Sequence, residues 1–176
     1  MVLDNYIKYL YGLTNNTQNN GVRPINTPNM KSLTGKTDVL WPRTNNNYDG
    51  LQKLSALIEN TDNDYNWCIA LGTDTTPVTK GDYQFDHEIT TLTYVSYSIG
   101  LAEKAGRNVL RLTKTVSNET EEDIVVNEIG VIISQPSQNT SATKMDRMAL
   151  IAREVLSEQI TVKANGGIQV FGIDIG

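Results

Sequence analysis

The stretch from Ile89 to Val116 reads ITTLTYVSYSIGLAEKAGRNVLRLTKTV. Its period is two. Leu92, Tyr94 and Ser96 alternate with Thr93, Val95, Tyr97 and Ile99, and Leu110, Leu112, Lys114 and Val116 alternate with Val109, Arg111, Thr113 and Thr115. Glu103 to Asn108, with Gly106 inside it, is turn material. Two alternating runs joined by a Gly-bearing turn predict a long antiparallel hairpin. The same period continues on both sides. Trp67–Leu71 is a short apolar strand. Ile124–Ile133 is another, with Gly130 as a bulge or a point of close packing. Met148–Leu156 and Gln159–Lys163 read as two strands. Asn165-Gly166 is a tight turn, because both residues tolerate positive φ. Ile168–Ile175 is the last strand. About seven strands with no βαβ unit predict a mainly β protein, an antiparallel β-sandwich of jelly-roll type.

The residues before this region behave differently. The chain holds 18 Asn and 20 Thr, and 11 of the Asn fall before residue 61. Asn favours turns and caps, whereas Thr favours strands. The division therefore falls near residue 65: residues 1–64 form an N-terminal helix, an extended arm and a second short helix, and residues 65–176 form the sandwich. Leu3, Ile7 and Leu10 share a helical face over Leu3–Leu13, and Leu51–Ile58 has helical spacing too. Between them, Val22–Asn47 carries Pro24, Pro28 and Pro42 among isolated apolar residues. Proline removes a donor and holds its predecessor extended. Leu3, Ile7, Leu10, Val22, Ile25, Met30, Leu33, Leu40 and Trp41 are the expected assembly contacts. Two readings stand: an arm that docks on a neighbouring molecule, or a long loop that wraps its own domain.

Composition excludes several classes of function. The net charge is −5 and the pI about 4.9, so there is no general basic field for nucleic acid. No apolar run approaches the ~20 residues of a bilayer span, and Met1–Tyr11 lacks the layout of a secretory signal. One cysteine, Cys68, forbids an intrachain disulfide; with one histidine, His87, it also forbids a Cys/His zinc site within one chain. Asp62–Asn66 imitates the start of a calcium loop, but Trp67 and Thr73 occupy the positions that need Gly and Glu. Glu119, Glu121, Glu122 and Asp123 read as a solvated turn. His87, between two carboxylates, reads as a local hydrogen-bonding residue at a strand start, and Cys68 as a small buried hydrophobe. The sequons at Asn15, Asn118 and Asn139 are products of an Asn- and Thr-rich chain. No catalytic, cofactor-binding or metal-ligating set is expected.

Three segments together carry a resemblance. GTDTTP from Gly72 to Pro77, followed by Gly81-Asp82-Tyr83, resembles a GTGTTxPTxxDY motif. Val126–Val131, VNEIGV, resembles VxEIGL. Ala149–Val162 resembles LIARxVLxxPITV. In this order the three motifs are similar to those of small structural proteins of tailed bacteriophages, over roughly residues 65–176. The resemblance implies a β-sandwich that assembles on a capsid, neck or tail. It implies a homo-oligomer whose partners are other virion proteins, with no enzymatic role, no cofactor, no nucleic acid and no membrane. The alternative is a carbohydrate-binding surface module using Tyr83, Tyr94, Tyr97 and Trp41. A hydrolase built from spatially assembled carboxylates ranks last.

Overall fold

A computed structural model describes residues 3–4, 30–38, 67–134 and 148–176. The helix expected over Leu51–Ile58 lies outside these residues, as do all of the Leu3–Leu13 helix beyond Asp4 and most of the expected arm. The described chain is mainly β. Its strands are β1 (Met30–Lys31), β2 (Thr37–Asp38), β3 (Trp67–Gly72), β4 (Thr93–Lys104), β5 (Arg107–Asn118), β6 (Ile124–Ser134), β7 (Met148–Val162) and β8 (Gly167–Ile175). They form two three-stranded antiparallel sheets, ordered β3-β6-β7 and β4-β5-β8, and a small β1-β2 hairpin.

The sheets stack as a sandwich. The first contributes Ile69, Leu71, Ile129, Val131, Ile133 and Ile151 to the core between them, and the second contributes Leu112, Val116, Phe171, Ile173 and Ile175. Alternation explains this division, because strand residues two apart share a face. Lys114 falls on the inner row of β5, and its Nζ donates to the Ile69 carbonyl of β3 at 3.0 Å. Burial pushes this ammonium below its ordinary range, while Cys68 and Glu88 pull it back up.

Two departures from strict alternation correct the sequence reading. The β4–β5 register slips between Tyr94 and Ser96. Val95 is the extra residue, so Tyr94 and Tyr97 share a face instead of opposing each other, and their rings stack at 4.8 Å. The two strands expected at Met148–Leu156 and Gln159–Lys163 are one strand, β7. Glu128 pairs with Val155 and Val126 with Ile160, so residues 156–159 bulge opposite Asn127 alone. The polar Ser157-Glu158-Gln159 looks like a turn in sequence because it leaves the ladder there.

A further layer covers the outer face of the first sheet. Leu3, Leu33 and Phe85 pack there on Ala70, Ile132 and Leu150 as a second apolar cluster. Along β7, the Met148 carbonyl accepts the Leu33 amide at 2.9 Å and the Ile151 carbonyl accepts the Leu3 amide at 3.0 Å. Along β3, Thr73 donates to the His87 carbonyl and Ile89 to the Leu71 carbonyl. Each edge of the first sheet is thus met at one end, β7 at Met148 and Ile151 and β3 at Leu71.

Two turns place residues at positive φ. Asn165 (57°) and Gly166 (89°) close β7 onto β8, and Ala105 (51°) and Gly106 (73°) close β4 onto β5. Asn suits this region, and alanine is disfavoured there by about 1–2 kcal/mol. Ala105→Asn will therefore raise stability by about 1 kcal/mol in urea denaturation.

Candidate functional site

The apolar runs of two strands are each broken by a buried charge on the outer face of the first sheet. Glu128 sits on β6 and Arg153 on β7. Gly130 pairs with Arg153 and Glu128 with Val155, so the two charges lie diagonally on one face. Glu128 is 0% exposed and Arg153 4%. A charge so buried needs a partner. The Arg153 Nε donates to Glu128 Oε2 at 2.6 Å, and its Nη1 to Asp82 Oδ2 at 2.7 Å. Its Nη2 faces Asp74 Oδ2 at 3.4 Å. One planar guanidinium joins three carboxylates, a geometry only arginine's fork supplies.

The two aspartates come from the segment between β3 and β4, and local bonds fix both. Asp74 Oδ1 accepts the amides of Thr75 (2.7 Å) and Thr76 (3.1 Å) and the Thr76 hydroxyl (2.9 Å). Asp82 accepts the Thr79 amide and hydroxyl. Both are Asp–Thr turns of the kind short polar side chains make with nearby backbone. Asn127 Nδ2 adds a bond to the Thr73 carbonyl at 2.7 Å. The segment is therefore a strap over the first sheet, with Arg153 as its anchor.

Two glycines make room for it. A Cβ on Gly72 would collide with the Glu128 carboxylate, and one on Gly130 would lie 2.6 Å from the Phe85 ring and 2.7 Å from the Ala152 carbonyl oxygen. Gly130 is thus a close-packing point, one of its two expected roles. The strap also holds N-terminal residues. Asp4 donates its amide to the Lys80 carbonyl at 3.1 Å, and Lys31 Nζ lies 3.6 Å from the centre of the Tyr83 ring.

The carboxylates differ in their electrostatics. Burial pushes Asp82 up, but hydrogen bonds from Thr79 and Arg153 outweigh it and hold the group below its ordinary 3.8. Asp74 is held low mainly by Thr76. Burial pushes Glu128 above its ordinary 4.5, and Arg153 offsets only part of this. The Asp74 backbone also faces Glu128, but Oε1 makes no hydrogen bond. The chemistry of the arrangement is cross-linking: charge-assisted bonds tie β6, β7 and both halves of the strap together.

A second cross-link sits at the C-terminal end of β5. Asn118 is 0% exposed. Its Nδ2 donates to the Glu122 and Val162 carbonyls at 2.8 and 3.0 Å, and its Oδ1 accepts the Thr120 amide and hydroxyl. The sequon nitrogen at this position is thus committed inside the fold. In the acidic run beside it, Glu119 accepts from Ser117, and Asp123 binds Lys163 at 2.7 Å.

Of the expected assembly contacts, Leu3, Met30 and Leu33 are buried in the chain's own cores. Ile7, Leu10, Val22, Ile25, Leu40 and Trp41 lie outside the described residues. His87 is exposed and joins β3 through its backbone carbonyl. Cys68 is half-buried against the second apolar cluster. Tyr83 covers Gly35, while Tyr94 and Tyr97 stack on each other. Among the described residues no group of three or more His, Cys, Asp or Glu is placed to hold a metal ion.

Sequence reading passed over the Arg153 network. The signal was present as one lone charge in each of VNEIGV and ALIAR. No family model, curated protein or solved structure matches the chain.

Removing Arg153 leaves buried carboxylates without a counter-charge. Arg153→Ala will cost about 3–5 kcal/mol in chemical denaturation. Arg153→Lys will recover little of it, because one ammonium cannot span three carboxylates. Limited proteolysis will find new cleavage between residues 73 and 88 in both variants.

The pH dependence has two limbs of opposite sign. Asp82 and Asp74 have depressed values, so their contribution is complete above 3.8 and is lost as pH falls through their lower native values. Glu128 is raised, so its ionisation costs stability as pH rises through its native value. Melting temperature will therefore peak in the carboxylate range and fall on either side. Asp82→Asn will flatten the acid limb, and Glu128→Gln will reduce the limb above it.

Proposed function

We propose that the chain is a non-enzymatic structural subunit of a tailed-phage particle. In this reading it self-assembles and docks on other virion proteins, as a head decoration or fibre or as a neck or tail accessory. The fold that goes with it is a jelly-roll-like sandwich with an extended N-terminal arm.

One observation carries the reading. The three segments that resemble phage structural proteins are far apart in sequence, yet they meet at one place. Gly72–Tyr83 supplies Asp74 and Asp82, Val126–Val131 supplies Glu128, and Ala149–Val162 supplies Arg153. The charged residues of the motifs are thus joined to one another in a buried cross-link. That arrangement suits a subunit selected to hold its shape under load. Gly72 and Gly130, also motif residues, serve the same packing.

The arm has a narrower part in this proposal than the sequence suggested. Leu3, Met30 and Leu33 are occupied within the chain, so the expected contacts left to the arm are Ile7, Leu10, Val22, Ile25, Leu40 and Trp41.

The test is direct. An antibody against the full chain, with mass spectrometry of purified particles from the source phage, will find the protein at fixed stoichiometry. Its absence from particles, with the protein found only in the infected-cell lysate, would overturn the reading.

A further inference from the structure

We infer that two copies of the chain pair through the free edge of β4. They run antiparallel across a two-fold axis at Ile99 and make one continuous six-stranded sheet. The inference deepens the self-assembly part of the function proposed above and rests on that part alone.

The two sheets treat their edges differently. In the first, backbone groups from Leu3 and Leu33 bond the outer edge of β7 at Met148 and Ile151, and the His87–Ile89 segment bonds that of β3 at its C-terminal end. Among the described residues nothing pairs with the outer edge of β4. Nine of its twelve residues are exposed and none is buried. Leu101 is 83% exposed, Val95 48% and Tyr94 37%. Natural edge strands are blunted by lysine, proline, inward charge or a bulge. The one bulge of β4, at Val95, lies near its start and leaves Ser96–Lys104 in regular register with β5. From Thr93 to Ala102 β4 carries no charge and no proline. Among the described residues it is a long, neutral row of unpaired donors and acceptors.

What fits such an edge follows from the side chains on its two faces. The inner face carries Tyr97, Ile99 and Leu101, which pair with Lys114, Leu112 and Leu110 of β5. The outer face carries Ser96, Ser98, Gly100 and Ala102. A two-fold pairing keeps faces matched only if the paired residue numbers sum to an even value. Centring on Ile99 sets Tyr97 opposite Leu101, Ser98 opposite Gly100 and Ser96 opposite Ala102. Apolar residues then meet apolar residues, small ones meet small ones, and no like charges face each other. The exposed Leu101 gains a tyrosine partner on each side of the axis.

The outer edge of β8 is the competing partner. β4 and β8 both run antiparallel to β5, so they are parallel to each other. A copy docked by its β8 on a neighbour's β4 in the same sheet plane would form a parallel ladder. Such ladders are slightly weaker per residue, and the contact would not close on itself. The β4–β4 contact is antiparallel and closed.

The experiment uses the full chain in light scattering and sedimentation over a concentration series. The unchanged protein is expected to dimerise. Leu101→Lys, at a position already exposed, should weaken the dimer about tenfold or more, because the lost contact counts twice across the axis. Its melting temperature, read at concentrations where both proteins are monomeric, should not change. The double variant Ser98→Cys with Gly100→Cys should cross-link into dimers under mild oxidation, since an added Cβ at Gly100 meets nothing within 4 Å. Val170→Cys on β8 should not, and the unchanged chain with Cys68 is the control.

A monomer at every concentration would overturn the pairing. So would a Leu101→Lys dimer of unchanged affinity, or cross-linking at Val170 in place of Ser98 and Gly100. A β4 dimer from a chain absent from particles would sink the phage reading and leave the pairing standing. A particle component without β4 pairing would do the reverse.

Discussion

A guanidinium sealed on the outer face of a sheet organises this molecule. Arg153 is almost wholly removed from water, and such a charge must be answered by carboxylates or the fold does not form. Glu128 answers from the neighbouring strand, and Asp82 and Asp74 answer from the strap above. Removing this cation would leave three acids crowded together in low dielectric. The glycines beneath, the Asp–Thr turns and the placement of Phe85 are all arranged so that the fork can be reached from three directions.

The strap in turn organises what lies around it. It lays Phe85 beside Leu33 and Leu3, offers the Lys80 carbonyl to Asp4, and presents Tyr83 to Lys31. N-terminal residues are held against β7 in the same layer. The first sheet thereby has a covered face, with each edge bonded at one end. The second sheet has no such layer among the described residues; its outer face carries the Arg111–Asp174 and Lys104–Asp174 ion pairs, and β4 is neutral from Thr93 to Ala102. Among the described residues, then, one sheet carries an outer layer and the other offers unpaired backbone along β4.

Much of the strand layout was legible because period-two alternation survives in β5, β6 and β8, and because Asn165-Gly166 has one natural conformation. Legibility failed where the ladder was interrupted. Val95 shifts the pattern by one residue and brings Tyr94 and Tyr97 together. Ser157-Glu158-Gln159 leaves β7 without ending it. The network was harder to read. Asp74 is separated from Arg153 by 79 residues and Asp82 by 71, so their meeting is a property of sheet order and strap path. Asn118 was hidden in another way, since a glycosylation sequon and a buried capping asparagine are written with the same letters.

The spacing of the Arg153 contacts also bears on how the protein comes into being. During synthesis the strap emerges well before the residue that anchors it. Until β7 has left the ribosome, Glu128, Asp82 and Asp74 lack their common cation, and the Leu3–Phe85 layer lacks the Leu150 it rests on. Contacts this distant in sequence make folding slow. A nascent chain cut short before residue 153 therefore cannot close its outer layer, whatever the state of its hairpins. Completion of the outer layer therefore waits for β7, so a product that stops short of that strand is left open to proteases and chaperones.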